Sequence, residues 1–315
     1  MNTSLLGIAP RYFLEVARCG SVTLAAERLH VAPSAVSRQI SQLEQELGCQ
    51  LFERKARGME PSAAGQRLAA HLQSSSLEAE RTLDAMHGLA SEHRARVRIA
   101  CTDGFAAGFM AQAMADFRAR HAPCAVQLHV DHPDAVSQRL LRGECDLALK
   151  FAVAPEPGLR VEHQQAAQIM AFVAPGHALA ARRRITPEQL TQHPLGLSEP
   201  GTTVRQMLDL CCTRQSLHYQ EAFTGNYATL LAIAAQGACV TLSALVSAAH
   251  AVRAGAVVGV AVDAPEFHQR SFQLLSLGGQ SLRPMAALMR DHLVALATAC
   301  NQALRPHPRR RPTTS

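Results

Sequence analysis

Hydrophobic spacing along the chain changes its period twice. Over the first fifty residues it is helical and short-ranged. Tyr12, Phe13, Val16 and Ala17 recur on one face and stop at Cys19-Gly20, where glycine suits a C-terminal cap. Ser21 then caps a second helix with Leu24, Ala25 and Leu29 as its buried stripe. His30-Val31-Ala32 makes a tight connection, and Pro33 suits the first turn of a third helix. In that helix Val36, Ile40, Leu43 and Leu47 are spaced 4, 3 and 4 and so share a face. Ser34, Arg38, Ser41 and Gln45 fall opposite, with Ser37 and Gln42 beside them.

Two short helices, a tight turn and a small polar outer face make a helix-turn-helix, here from about Val22 to Ser41. The face suits a DNA major groove. Short hydroxyl side chains let the backbone approach, and Arg38 can donate a fork to guanine or phosphate. After Gly48, Cys49–Arg54 reads as a strand, Lys55-Ala56-Arg57-Gly58 as a basic turn and Glu60-Pro61-Ser62 as the returning strand. Together they form a wing whose Lys55 and Arg57 reach backbone or minor groove.

These residues resemble the LysR-type transcriptional regulators. The resemblance runs through Ala25–Val31, Ala35–Ile40, Leu43-Glu44, Leu47-Gly48, Leu51–Arg54, Pro61-Ser62 and Ala64-Gly65, about sixty contiguous positions. Ala32 departs from it, because the family usually places a serine cap there. The resemblance implies DNA contacts from Pro33, Ser34, Ser37, Arg38, Ser41, Lys55 and Arg57.

The period next lengthens into one helix from Ser62 to about Glu92, free of proline. Leu72, Ser76, Ala79, Leu83, Met86 and Ala90 repeat at 4, 3, 4, 3, 4, the seam of a coiled coil. The resemblance makes this the linker helix that pairs two copies of the chain, with a tetramer beyond the dimer. From Arg96 the pattern becomes alternating strands and helices, hence α/β. Val97–Cys101, Ala125–Val130, Asp146–Leu149, Ile169–Ala174, Cys239–Leu242 and Phe272–Leu277 read as strands, and Pro284–Leu304 as the closing helix. Arg142–Leu149 and Val173–His177 resemble the family's effector-binding domain, which is similar to periplasmic binding proteins: two lobes, crossed here near residues 165 and 267. The expected division is a winged helix-turn-helix at 1–61, the linker helix at 62–93, the two-lobed domain at 94–304 and a basic tail at 305–315.

Ligands of such domains bind where strands end and helix N-termini converge. Thr102 and Asp103 follow the first strand, and Lys150 follows the third. Thr202 and Thr203 open a helix after Pro200-Gly201, and Gly225-Asn226 precede another. The resemblance puts cleft residues at Thr102, Thr202, Thr203 and Asn226. Hydroxyls and helix N-termini suit a small carboxylate, Lys150 can pair with it, and Asp103 would repel it or accept from an amine or hydroxyl. Each position serves equally well as a helix cap.

Composition narrows the alternatives. Lys and Arg number 31 and Asp and Glu 25, a net +6, of which the tail 301–315 holds four arginines. A general polybasic coat is excluded, so nucleic-acid contact must be local. Aromatics are 4% with no Trp, which disfavours a stacking platform for single strands. Nine cysteines without a C-x-x-C pair suit a reducing cytosol and no disulfide framework. No signal peptide opens the chain, and the uncharged Thr229–Val252 reads as helix, strand and helix rather than a membrane span. The nucleotide-binding glycine motifs and H-E-x-x-H are missing, and Gly196-Leu197-Ser198-Glu199-Pro200 misses the nucleophile elbow at its last position. No catalytic residue, metal or cofactor is therefore expected. The expectation is a cytoplasmic, DNA-binding regulator switched by a small molecule. A thiol-responsive regulator of the same fold, drawing on Cys211-Cys212, and a solute-binding protein are the alternatives.

Overall fold

A computed structural model describes residues 7–55, 58–72, 75, 79 and 96–303. The chain divides into two compact units, residues 1–93 and 94–315.

In the first unit, α1 (Ile8–Cys19), α2 (Val22–Leu29) and α3 (Pro33–Leu47) precede a hairpin of β1 (Phe52–Lys55) and β2 (Gly58–Pro61), and a further helix, α4, covers 63–72. Ser21 caps α2 by accepting from the Leu24 amide. Phe13, Val16, Ala25, Ala26, Val36, Ile40, Leu51, Phe52 and Leu72 form the core. One side-chain expectation fails: Leu24 is 46% exposed, while the consecutive Ala25 and Ala26 are buried. Two methyl-sized side chains let the helices pack closely, which turns Leu24 outward. Leu47 is also exposed, at the end of α3 beyond the core.

The hairpin has a steric lock. Gly58 sits at φ +125°, where a Cβ would lie 2.6 Å from the Gly20 carbonyl oxygen, and the next amide, Met59, donates to that oxygen at 2.8 Å. Only glycine fits there. Of the coiled-coil seam, Leu72 is buried in this unit's own core and Ala79 is described. Ser76, Leu83, Met86 and Ala90 lie outside the described residues, as do Arg57 and the tail 305–315.

The second unit has two sheets. The first lobe holds β3 (Arg96–Cys101), β4 (Ala125–Val130), β5 (Leu147–Ala152), β6 (Leu159–Ala166) and β13 (Ser271–Leu277), ordered β4-β3-β5-β13-β6. The second holds β7 (Ile169–Val173), β8 (Arg184–Ile185), β9 (Leu195–Leu197), β10 (Glu221–Thr224), β11 (Val240–Ala244) and β12 (Val258–Val262), ordered β10-β9-β11-β7-β12-β8. The chain passes between sheets at Ala167-Gln168 and returns through 263–270, which includes a 3-10 turn at Pro265–His268.

Helices cover both sheets. The first after β3 starts as α5 (Asp103–Phe105), widens into a π-turn at Ala106–Met110 and continues as α6 (Ala111–Arg120). Then come α7 (Pro133–Leu141), α8 (Pro187–Thr191), α9 (Thr203–Gln215), α10 (Tyr227–Ala235), α11 (Leu245–Arg253) and α12 (Pro284–Ala303). Val97, Ile99, Phe105, Phe117, Leu149, Phe272 and Leu293 anchor the first core, and Ile169, Val173, Leu195, Leu208, Val240 and Phe267 the second. Thr229–Val252 folds as α10, β11 and α11. Among the described residues no helix is long and apolar enough to cross a membrane.

Candidate functional site

Two surfaces combine exposure with chemistry. On the first unit, Pro33, Ser34, Ser37, Arg38 and Ser41 all lie on the exposed side of α3, opposite the buried Val36 and Ile40. Ala32 occupies the N-cap without a side-chain bond, so the cap that serine would supply is missing. Lys55 is exposed on the wing, and its Nζ lies 2.6 Å from Glu60 Oε2 across the hairpin. That hydrogen bond raises the lysine above its ordinary value. Arg57 lies outside the described residues. A supporting residue emerges on the inner side of α3. Glu44 accepts from the Leu51 amide at 2.8 Å and the Phe52 amide at 3.4 Å, fixing where the wing leaves the helix.

The second surface is a cleft of about 490 Å³ between the lobes. Thr102, Asp103, Thr202, Thr203, Gly225 and Asn226 all line it. Their hydroxyls and carboxylates are not equally free. Thr202 Oγ1 accepts from the Arg205 amide at 3.4 Å and donates to the Glu199 carbonyl at 3.1 Å, so it is occupied as the cap of α9. Asn226 accepts from the Thr229 amide at 3.0 Å, and Asp103 accepts from the Tyr227 amide, so both serve the start of α10. Thr102 differs: its hydroxyl is buried and has no partner.

Lys150 is not in the cleft. The strand runs on to Ala152 instead of ending at Leu149, and side chains alternate across it. Phe151 therefore lines the cleft while Lys150 turns to the other face, 4% exposed. There Nζ donates to Ser137 Oγ at 2.8 Å, to the Pro133 carbonyl at 3.4 Å and to Glu156. Burial pushes the Glu156 carboxyl up, but bonds from Lys150 and Ser137 outweigh it and leave the group below its ordinary value.

The cation of the cleft is Arg270, which the sequence reading missed. It stands just before β13, is 2% exposed and lines the cavity. Its Nε donates to the Ala167 carbonyl at 3.0 Å, its Nη1 to Thr203 Oγ1 at 3.2 Å, and its guanidinium lies 4.2 Å from the Phe151 ring centre. Burial pulls it down to about 9, so it remains charged at neutral pH. Phe151 is held in turn by stacking on Phe105 at 4.4 Å. Val130, Pro133, Val204 and Tyr227 supply apolar wall, and Ser198 and Ser243 supply hydroxyls. No signal in the sequence separates Arg270 from other arginines, since its place depends on how the second crossing returns. Among the described residues no cluster of three or more His, Cys, Asp or Glu could hold a metal.

Comparison with known proteins gives a family match to each unit. Residues 9–66 match the model of the bacterial regulatory helix-turn-helix protein, lysR family, and residues 90–298 that of the LysR substrate binding domain. The chain is 30% identical over 202 residues to the RuBisCO operon transcriptional regulator of Allochromatium vinosum, covering 63% of this chain and 66% of that relative. It is 29% identical over 291 residues to the SDS degradation transcriptional activation protein of a Pseudomonas strain, covering 89% and 92%. Among solved structures, a cysteine variant of full-length OxyR from Pseudomonas aeruginosa has a TM-score of 0.58 at 16% identity, covering 95% of this chain and 94% of that one. Full-length CbnR in complex with its target DNA has 0.55 at 18%, covering 94% and 100%. Those two likenesses concern the fold.

Proposed function

The chain belongs to the LysR family of DNA-binding transcriptional regulators, and we propose that its response is set by a small organic anion bound in the cleft between the lobes. The observation that carries this reading is the pair of buried donors on one cavity, the free Thr102 hydroxyl and the Arg270 guanidinium. The N-terminus of α9 adds its positive dipole end at Thr203. Binding shifts DNA affinity or bending through its preference for one arrangement of the lobes and subunits.

On the DNA side, Ser34, Ser37, Arg38 and Ser41 face the major groove and Lys55 a phosphate, with Pro33 beside the serines and Arg57 assigned to the backbone from its basic sequence context alone. Two copies pair through 62–93, as supported by the seam spacing after Leu72, which its own unit's core takes up, and dimers pair into tetramers. The protein works in the cytoplasm, where its DNA lies. A thiol-responsive switch finds less support: Cys211 and Cys212 are buried in α9, and burial pushes Cys211 up to about 11, away from the reactive thiolate.

The test is a reporter fused to DNA upstream of the protein's own gene and assayed across carbon sources. Thr203→Val should abolish the response that the wild-type protein shows, while effector-free operator affinity stays within about two-fold, because the reading face belongs to another unit. A full response from Thr203→Val overturns the cleft reading.

A further inference from the structure

Arg270 is a buried cation whose hydrogen bonding is incomplete. A guanidinium has five N–H donors; Nε and Nη1 reach Ala167 and Thr203, while Nη2 is buried without a partner. No carboxylate lies within ion-pair distance of it among the described residues. An unneutralised cation in the interior is costly, and the Phe151 face 4.2 Å away offsets only part of that cost. Thr203 brings the positive end of α9 against the same guanidinium. The depth of the cleft is therefore a concentrated positive field beside open donors that include Arg270 Nη2, Thr102 Oγ1 and the Tyr227 hydroxyl.

The rest of the lining has the opposite sign: Asp103, Asp131 and Glu199 border the same cavity. Arg139 neutralises Asp131 at 2.6 Å, which leaves Asp103 and Glu199 to repel any second negative charge. One deep cation with one open nitrogen, opposed by acids elsewhere, fits a ligand with a single compact anionic group and an uncharged body. The apolar wall of Val130, Phe151, Val204 and Tyr227 suits that body.

We propose that Arg270 is the specificity-determining residue of the cleft, and that it restricts the effector to a monocarboxylate whose oxygens take the open donors of Arg270 and Thr102. This rests on the reading of the cleft as an effector site. The same arginine ties together both passages between the lobes: its Nε donates to the Ala167 carbonyl, and the Ala167 amide donates to the Arg270 carbonyl at 3.1 Å. A carboxylate on this guanidinium touches the hinge directly, so recognition and lobe arrangement share one side chain.

The experiment uses the full-length protein and a probe panel of monocarboxylates from acetate to octanoate, benzoate, the matching amides and succinate. Melting temperature screens the panel and calorimetry measures affinity. At least one monocarboxylate should bind, with its amide and succinate far weaker. Arg270→Gln should bind that acid about 10- to 100-fold more weakly, with Arg270→Lys in between. Should Arg270→Gln fail to fold, discrimination of acid from amide by the wild-type protein decides the matter. The proposal is overturned if the amide binds as well as the acid, if succinate binds best, if no monocarboxylate binds, or if Arg270→Gln keeps full affinity. An amide ligand lost in Thr203→Val removes the Arg270 assignment and keeps the cleft. A ligand insensitive to both variants removes the cleft as well.

Discussion

The outer face of α3 and the interior of the lobe cleft each carry an arginine, and they treat its charge in opposite ways. Arg38 is exposed on a helix whose other face is buried, and among the described residues no side-chain hydrogen bond or ion pair holds it. Arg270 is enclosed, stacked and hydrogen-bonded to both lobes, yet one nitrogen has no acceptor. An exposed cation costs the protein little and is available to any groove of suitable shape. A buried one must be satisfied by something chosen, which makes it selective. On the function proposed above, the α3 face would discriminate by what it meets, and the cleft by what it encloses.

Lys150 sharpens the contrast, because it is just as buried as Arg270 but fully engaged. It pairs with Glu156 and Ser137 away from the cleft. Lys150→Met should cost about 2–3 kcal/mol, below the usual cost of breaking a buried pair because Glu156 can turn to water. It should leave carboxylate affinity unchanged. The pH dependence has a definite sign. Glu156 is held below its ordinary value, so this contribution is full above about pH 4.5 and is lost as pH falls through the lowered value. The gap between wild type and Lys150→Met should therefore narrow in acid. Urea unfolding from pH 3 to 7 measures it; a constant gap, or a weakened ligand, would show that Lys150 serves the cleft after all.

Arg38→Ala probes the other surface. It should keep the melting temperature and lose about 1–3 kcal/mol of discrimination between operator and unrelated DNA. Anisotropy titrations at one salt concentration read both affinities. Equal preference in variant and wild type would assign sequence reading to other residues.

How legible each surface was follows from how it is assembled. The α3 face comes from one continuous segment, so spacing alone put Ser34, Arg38 and Ser41 opposite Val36 and Ile40. Leu24 was misread because periodicity ranks residues by hydrophobicity, whereas close helix packing favoured Ala25 and Ala26. The cleft comes from segments more than a hundred residues apart. Strand ends and helix starts marked the neighbourhoods of Thr102, Thr202, Thr203 and Asn226, since helix starts announce themselves locally, and the family resemblance singled out those four. Lys150 was misplaced by one strand alternation: extending β5 to Ala152 hands the cleft to Phe151. Arg270 carries no local mark, because its position is fixed by the second passage between lobes. Glu44 was visible only as part of a family pattern, and its bonds to the wing amides explain why it belongs there.

The smallest expected effect concerns the wing, where an exposed lysine is already paired. Lys55 and Glu60 meet diagonally across the hairpin at 2.6 Å, both more than half exposed, a geometry that contributes little to stability. A phosphate reaching Lys55 must compete with the Glu60 carboxylate for the same ammonium. Lys55→Ala should therefore weaken binding to all DNA sequences alike and reduce the salt slope by about one unit, as expected for one lost phosphate contact. Glu60→Ala should act in the opposite direction, strengthening specific and non-specific binding together, because it frees the lysine without adding a donor to any base. Titrations over a salt series with operator and random duplexes separate the cases. A change in base preference in either variant would mean that the wing reads sequence, and an unchanged slope in Lys55→Ala would mean that Glu60 keeps the lysine off the backbone.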